Sequence, residues 1–478
     1  MNYRMIARVL GLILLCTAAL MLLPLTAGLC FGENVLNFVI TISIGAAAGF
    51  LLTRIKPRTT ALFARDGFVI VGLGWIMISL LGALPFVISG SIPNYIDAVF
   101  ETVSGFTTTG ATVVTDIEGM PRGDLFWRSF THWIGGMGVL VFIMAVLPMS
   151  GEHSMHIMRA EVPGPTVGKL VPRARKTASI LYLIYVALTA IETVMLMCGG
   201  MSFYDALLHA FATAGTGGFS TRAASIGAFH SLYIEMVTAT FMLIFAVNFN
   251  LYFLLLIGRL RDVVKNEELH WYLGIMGLAV LGIALGIREM YGGMGTALRH
   301  AYFNVATIIS TTGFGTEDFN LWPEYCKWIL VLLMFVGACA GSTGGGLKVS
   351  RVAMLFKTAR SEIKQMIRPR SVAPVQMDGR RAEAGAVRAV SVFFLLFVFL
   401  LLAFTFAVSF DGYDLATNFT ATLSCLSNIG PGLSLVGPTG NFSIFSYPSK
   451  ILLSFAMLLG RLEIYPILVL FSRHTWKN

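Results

Sequence analysis

Four short segments ending in glycine recur along the chain and are the residues best suited to bind an ion. They comprise Thr108, Thr109 and Gly110; Thr216, Gly217 and Gly218; Thr311, Thr312 and Gly313; and Asn428, Ile429 and Gly430. Glycine permits a positive φ and a close approach of the backbone, so that carbonyl oxygens can replace a cation's hydration shell. None of the segments contains the arginine or lysine that an anion pore would need. The pattern predicts a path for a small monovalent cation.

Each of these segments follows a helix that is too short to cross a membrane. The four predicted pore loops cover residues 97–112, 205–221, 297–316 and 414–432. An apolar run of about ten residues predicts a re-entrant helix rather than a span. Non-helical backbone at membrane depth is tolerated where it lines a water-filled cavity, so the four loops are expected to face one axis. The partially negative C-terminal ends of the short helices would favour a cation there.

The elements that must position these loops are long apolar helices. The chain is 56% hydrophobic and 12% charged, whereas a soluble domain carries about 25% charged residues. Ten spans are predicted, at residues 5–29, 35–53, 67–89, 126–149, 178–199, 230–257, 271–291, 325–347, 387–409 and 450–471. The first is expected to be retained, because its apolar run is longer than that of a signal peptide and lacks a cleavage motif. The predicted fold class is an all-α membrane protein.

Helix, pore loop and helix follow one another in the same order four times. This repetition predicts four pseudo-fourfold repeats around a central pore. Two extra helices are expected in residues 1–60, followed by repeat 1 at 61–150, repeat 2 at 151–265, repeat 3 at 266–380 and repeat 4 at 381–478.

Basic residues concentrate in the connections on one side of the predicted membrane. The connections after the second, fourth, sixth and eighth spans are rich in arginine and lysine, and the C-terminus is basic. The positive-inside rule therefore places these connections and both termini in the cytoplasm. This topology accounts for the net charge of +9, so no nucleic-acid partner is expected. The sequence contains no metalloprotease, nucleophile-elbow or P-loop motif, which argues against an enzyme.

Further motifs resemble the Trk/Ktr/HKT superfamily of potassium transporters, and most closely its bacterial TrkH/TrkG subfamily. The matching sequences are SGFTTTGAT at 104–112, WIGGMG at 133–138, AVLP at 145–148, RAEVPGP at 159–165, TAGTGGFST at 213–221, STTGFGT at 310–316, GSTGGGLKV at 341–349, SNIGPG at 427–432 and GRLEIYP at 460–466. Together they cover nearly the whole chain. The resemblance implies potassium uptake through ten spans.

The resemblance also assigns the four selectivity-filter glycines to Gly110, Gly218, Gly313 and Gly430. Gly218 is preferred to the adjacent Gly217, because the GF-x-T sequence then aligns with the third segment. In plant relatives, serine at the first of these positions accompanies a preference for sodium. Glycine at position 110 is therefore expected to favour potassium.

A gate is implied below the filter. The eighth span is interrupted by Gly341, Ser342, Thr343, Gly344, Gly345 and Gly346, a sequence that holds a helix poorly. The resemblance implies a flexible obstructing loop here, with Lys348 at the cytoplasmic exit and Arg461 facing the path as a barrier or a latch. Two alternatives stay open. The glycines could serve close helix packing, and Arg461 could form a structural pair with Glu463 or Glu192.

The resemblance implies a homodimer in the bacterial inner membrane, seated on a cytoplasmic ring of TrkA-like regulatory subunits that bind NAD or ATP. The basic residues of segment 348–388 are expected to dock this ring or to contact anionic membrane lipid. K+ is the expected ion in the filter, and no organic cofactor is expected in this chain. The expected function is potassium uptake through a gated, channel-like pore driven by the membrane potential. A sodium-translocating protein and a symporter coupled to H+ or Na+ remain alternatives.

Overall fold

The computed structural model describes residues 1–57, 63–138, 174–369 and 374–476, and these residues are mostly helical. The predicted all-α class is therefore confirmed. The described strands are β1 (Gln376–Met377) and β2 (Arg380–Arg381), which pair antiparallel. The predicted boundary between repeats 1 and 2, and the motifs at 145–148 and 159–165, lie outside the described residues.

Three helices precede the first pore loop unit. They are α1 (Tyr3–Leu20), α2 (Leu22–Cys30) and α3 (Leu36–Thr53). Helices α1 and α3 cross closely, since a Cβ atom added at Gly11 or Gly49 would lie 2.8 Å from the carbonyl oxygen of the other glycine. Such close backbone contact is typical of small residues at membrane helix interfaces. This pair packs against the first helix of the next unit, as expected of an N-terminal addition.

The remaining helices are grouped into four units. Each unit begins with a long helix, which is followed by a short pore helix and then by a second flanking helix. Unit 1 contains α4 (Ala64–Ser89), α5 (Tyr95–Phe106) and α6 (Arg122–Gly136); unit 2 contains α7 (Ala174–Cys198), α8 (Phe203–Gly215), α9 (Leu232–Phe245), α10 (Phe249–Leu256) and α11 (Leu260–Val264). Unit 3 contains α12 (Glu267–Ile287), α13 (Met294–Ile309), α14 (Glu324–Val336) and α15 (Val349–Ile367); unit 4 contains α16 (Ala384–Val408), α17 (Leu415–Ser427), α18 (Tyr447–Arg461), α19 (Tyr465–Phe471) and α20 (Arg473–Trp476).

Acidic residues stand in the first turn of two of the four pore helices, which are α5, α8, α13 and α17. Asp97 and Asp205 lie in the first turns of α5 and α8, where an acidic side chain favours the helix N-terminus. The Asn94 side chain caps α5 by accepting a hydrogen bond from the amide of Ile96 at 2.8 Å.

The four units close into a ring. In each unit the pore helix packs between the helix before it and the helix after it. It also contacts the helix that follows the pore helix of the preceding unit, in the pairs α6 with α8, α9 with α13, α14 with α17, and α18 with α5. Because the last pair joins unit 4 to unit 1, the four pore helices surround a common centre.

The described helices only partly account for the predicted spans. Six of them are long and apolar enough to cross a membrane, and the pair α9 and α10, bent by 91°, is a seventh candidate. The predicted span 126–149 runs beyond the described residues, whereas 325–347 and 450–471 are interrupted after Val336 and Arg461. Positive φ angles at Gly337, Glu463 and Ile464 explain these two interruptions. The total of ten spans and the repeat limits stay predictions.

The tight packing of α6 on α5 predicts that Gly135→Ala will destabilise the protein. An added Cβ would collide with the backbone carbonyl of Phe106 at the end of α5, and such overpacking costs about 1–3 kcal/mol. We expect a lower melting temperature for the detergent-purified variant. Gly274→Ala on α12 is the matched control, because open space surrounds that position. Equal melting temperatures for both variants would contradict the close approach of α5 and α6.

Candidate functional site: cation filter and gate

The four glycine segments share one backbone conformation. Each follows the C-terminus of a pore helix, and the residue two positions before the final glycine is left-handed. These φ angles are 55° at Thr108, 58° at Thr216, 61° at Thr311 and 55° at Asn428. A left-handed β-branched residue is strained, and such strain persists where the surrounding structure enforces it. The left-handed conformation occurs at the same position in all four segments, on threonine in three and on asparagine in the fourth, which indicates a common geometric requirement.

The final glycines are also left-handed, with φ angles of 78° at Gly110, 74° at Gly218, 89° at Gly313 and 105° at Gly430. In the second segment the positive φ falls on Gly218, whereas Gly217 lacks it. This difference supports the choice of Gly218 as the equivalent of the other three.

One hydrogen bond recurs in every segment and fixes its exit from the helix. The amide between the left-handed residue and the final glycine donates to a carbonyl five residues earlier. The bonds are Thr109 to Ser104 at 2.9 Å, Gly217 to Ala212 at 2.8 Å, Thr312 to Thr307 at 2.9 Å and Ile429 to Ser424 at 3.0 Å. Such a bond satisfies a carbonyl that the helix end would otherwise leave without a partner.

The four segments approach one another closely at their final glycines. A Cβ added to any one of them would meet the backbone of the next segment around the ring. Gly110 would meet the Gly217 carbonyl, Gly218 that of Thr312, Gly313 that of Ile429, and Gly430 that of Thr109. The sequence of contacts closes on itself, so the segments alternate around one axis. Only glycine fits this approach.

All four final glycines line a single cavity of about 160 Å³. The residues before them are buried, including Thr109, Gly217, Thr312 and Ile429. The segments contain backbone carbonyls, which are the oxygen ligands that a dehydrated monovalent cation needs. The predicted filter residues are thus brought together.

Side-chain hydrogen bonds brace the segments from behind. Hydroxyl pairs link Thr107 with Thr109 at 2.8 Å and Ser310 with Thr312 at 2.7 Å. In the fourth segment, the Asn428 amide donates to Thr109 Oγ1 at 3.0 Å and to the Met457 carbonyl at 2.9 Å. Asparagine is long enough to reach the first segment, which gives a physical reason for the departure from threonine at this position.

The interrupted segment 337–348 lies against the inner ends of the third and fourth pore helices. The Gly345 amide donates to Thr311 Oγ1 at 2.7 Å. A Cβ added at Gly344 would lie 2.8 Å from the Ser310 carbonyl oxygen, and one at Gly345 would lie 3.0 Å from Asn428 Cβ. The glycines therefore allow this loop, which includes the predicted gating residues 341–346, to contact the filter segments directly.

The same loop is bonded to the bend between α9 and α10. The Cys339 amide donates to the Ala246 carbonyl at 3.0 Å, and the Phe249 amide donates to the Gly341 carbonyl at 3.0 Å. Thr343 Oγ1 donates to the Phe245 carbonyl at 3.2 Å. The bend exposes backbone groups that a continuous helix would use internally, and the loop is their partner.

Two basic side chains hold this loop. Buried Lys348, with a φ of 77°, donates through Nζ to the Gly344 carbonyl. Arg461 donates to the Thr343 carbonyl at 2.6 Å and to the carbonyls of Gly135 and Gly136, each at 2.6 Å. Arg461 therefore ties the loop to the end of α6 in unit 1.

The two acidic partners considered for Arg461 lie in different surroundings. Glu463 accepts a hydrogen bond from Arg351 Nη2 at 2.5 Å. Glu192 is fully buried on α7. The sequence identified Arg461, but its carbonyl partners were not predictable because they lie far from it along the chain.

Three charged residues near the filter and loop were missed by the sequence reasoning. Glu268 of α12 accepts from the amides of Ala340 at 2.7 Å and Ser350 at 3.0 Å, on either side of the loop. Glu101 of α5 and Arg128 of α6 form a buried ion pair at 2.6 Å. Their charge within apolar segments was the available signal, since such residues are rare in membrane helices and usually functional.

Comparison with known proteins agrees with this architecture. The family model for TrkH, described as a cation transport protein, matches residues 32–270 and 292–477. The chain is 37% identical to the Trk system potassium uptake protein TrkH of Salmonella typhimurium and 36% identical to that of Escherichia coli, with all of each chain covered. It is 33% identical to TrkG of Escherichia coli, covering 100% of this chain and 99% of the relative.

A solved structure resembles the chain throughout its length. The crystal structure of the potassium transporter TrkH from Vibrio parahaemolyticus superposes with a TM-score of 0.89 at 33% identity, and the match covers 100% of both chains. The family resemblance and the fold class predicted from the sequence are confirmed, as is the expectation of a transporter rather than an enzyme. The chain belongs to the TrkH family of cation transport proteins.

Proposed function

We propose that this protein takes up potassium through a gated, channel-like pore in the bacterial inner membrane. The observation that carries the proposal is the closed ring of four left-handed glycines, which line one cavity. Their segments offer oxygen ligands without a basic side chain, as a filter for a dehydrated cation requires. The membrane potential supplies the driving force, about 2.3 kcal/mol per elementary charge per 100 mV.

The loop 341–346 is the gate in this proposal. Its contacts with Thr311 and with the bend at Ala246 support a position beneath the filter. Arg461 acts as the latch, because it joins Thr343 of the loop to two carbonyls of α6. Opening would require these hydrogen bonds to break and the loop to move aside.

A cytoplasmic nucleotide-binding ring controls this gate in the proposed assembly, with two copies of the chain seated on it and both termini on the cytoplasmic side. Helix α15 directly follows the loop and carries Lys357, Arg360 and Lys364. The positive-inside rule supports a cytoplasmic position for this basic helix. It is therefore the segment through which a force on the cytoplasmic side would reach the loop.

The proposed function is tested by ion flux through the purified chain in liposomes. A potassium gradient is imposed and a proton ionophore compensates charge. We expect uptake of potassium and rubidium, weak uptake of sodium and none of anions. Anion uptake, or sodium uptake equal to that of rubidium, would refute a potassium filter.

A variant lacking residues 341–346 distinguishes gating from coupling. If the full chain is closed without its regulator, the variant should conduct down the gradient. If the variant conducts nothing although it is folded, flux depends on a second ion, and the coupled symporter becomes the better proposal.

Gly313→Ser should weaken the preference for rubidium over sodium. The new side chain would collide with the Ile429 carbonyl and occupy a backbone position with a φ of 89°. We expect the uptake ratio to fall at least about tenfold, because the local strain exceeds about 1.4 kcal/mol. Gly295→Ser, in open space on the first turn of α13, is the control. A wild-type ratio in the Gly313 variant would remove this glycine from the filter.

Arg461→Ala should raise rubidium uptake without a regulator. Hydrogen bonds to a charged group are worth about 1.5–3 kcal/mol, so losing even one should favour the open state about tenfold or more. Arg299→Ala, which breaks a partly buried ion pair with Glu235 on another helix pair, controls for the general cost of removing an arginine. Unchanged uptake in the Arg461 variant would argue against the latch.

A further inference from the structure

The four pore helices carry different side chains at one equivalent position behind the filter. Nine residues before each final glycine stand Glu101, His209, Asn304 and Ala421. Two residues after each final glycine stand Thr112, Ser220, Gly315 and Gly432. In units 1 and 2 these two positions are hydrogen-bonded to each other.

In unit 1 the contact is made by a carboxylate. Glu101 Oε1 accepts from Thr112 Oγ1 at 2.9 Å, and Oε2 accepts from the Val113 amide at 2.9 Å. The same carboxylate pairs with Arg128 Nε at 2.6 Å, and both side chains are buried. The outer end of the first segment is therefore held by a charged group rather than by the backbone alone.

In unit 2 the corresponding contact joins His209 Nε2 and Ser220 Oγ at 2.9 Å. Arg128 reaches across from unit 1 and donates through Nη1 to the Ser220 carbonyl at 3.1 Å. Its guanidinium lies 3.6 Å from the centre of the Phe219 ring, whose other neighbour is the His132 ring at 4.1 Å. One ion pair thus contacts the residues that follow both Gly110 and Gly218.

At the equivalent positions of units 3 and 4, the contacts in the described part of the chain involve no charged group. Asn304 donates to the His300 carbonyl of its own helix at 3.0 Å, and the glycine opposite it has no hydroxyl. Neutral groups bind the outer ends of these segments instead. The Gly315 amide donates to Ser225 Oγ at 3.2 Å, and the Leu433 amide donates to Thr420 Oγ1 at 2.8 Å. On their inner side, by contrast, the third and fourth segments touch the proposed gate loop.

We infer that Glu101 and Arg128, with His209, are positioning residues that set the ion selectivity of the filter. They fix the outer ends of the first and second segments relative to each other. At the equivalent positions of units 3 and 4, which adjoin the gate loop, the described contacts are neutral and adapt more easily to its movement. This inference rests on the proposed potassium filter, because it assigns the residues that keep that filter's spacing.

The energetics favour a positional role over a stabilising one. Burying an ion pair costs several kcal/mol per ion, and apolar residues of similar volume often stabilise a protein as well or better. The pair is instead hydrogen-bonded on both sides to filter backbone and hydroxyl groups. A fully satisfied buried polar network restricts its members to one arrangement, which is what a carbonyl cage of fixed size requires.

The test compares rubidium and sodium uptake in liposomes for wild type and Glu101→Gln. Glutamine keeps the volume of the side chain but replaces one carboxylate oxygen with an amide NH2 group. That group is a donor, so it cannot accept the hydrogen bond from Arg128 or from the Val113 amide. We expect the rubidium-to-sodium ratio to fall about tenfold, as follows from losing a hydrogen bond to a charged group. Arg128→Lys, which keeps the charge but loses the planar contact to Ser220, should give an intermediate ratio.

A milder variant protects the test against misfolding. Thr112→Val removes the hydroxyl that donates to the Glu101 carboxylate and leaves the ion pair in place, so the ratio should fall by up to about tenfold, the effect of one hydrogen bond to a charged group. If Glu101→Gln does not fold, an unchanged ratio in Thr112→Val overturns the inference.

Glu235→Gln is the matched control. It breaks a partly buried ion pair of the same residue types, formed with Arg299 near the outer end of α13 and away from the filter segments. A wild-type ratio in Glu101→Gln, or an equal fall in Glu235→Gln, would overturn the assignment. Loss of discrimination in wild type itself would instead refute the proposed potassium filter.

Discussion

A path built from re-entrant segments must satisfy backbone groups that a bilayer cannot satisfy. In this protein each pore helix ends with the same amide-to-carbonyl bond five residues back, and hydroxyls such as Thr109 and Thr312 bond within their own segments. These bonds do not use the carbonyls that precede the final glycines. Each of these carbonyls lies beside the final glycine of an adjacent unit. Closure of the ring, the left-handed threonines and the need for glycine all follow from this one constraint.

The four units meet this constraint with unequal means. On the outer side, Glu101 and Arg128 join the first two segments through charged hydrogen bonds. On the inner side, the loop after α14 contacts Thr311 and the neighbourhood of Asn428 in the other two. The buried ion pair thus contacts units 1 and 2, whereas the proposed gate adjoins units 3 and 4. In the proposed filter, such a division would give one part a fixed frame while another part responds to movement.

The sequence predicted the repeated features well, because each depends on local chemistry. The final glycines, the preceding threonines and the acidic first turns of α5 and α8 are all visible as spaced residue types. Pairings between distant helices were not predictable in this way. Glu101 and Arg128 lie 27 residues apart on different helices, and Glu268 meets backbone amides more than seventy positions away. The interruption after α18 was not predictable either, because a left-handed residue such as Ile464 has no clear sequence signal. Together with the interruption after α14, it lowers the number of helices that are long enough to be complete spans.

Among the described residues, the loop that adjoins the proposed filter comes from unit 3. Four identical subunits would each contribute such a loop, and four copies would compete for the same axial space. Because the units are linked in one polypeptide, the helices that follow the pore helices can differ from unit to unit. The bend of 91° between α9 and α10 and the interruptions after α14 and α18 are such differences. Covalent fusion therefore frees the assembly from strict rotational symmetry, and a single off-axis element can obstruct a symmetric conduit.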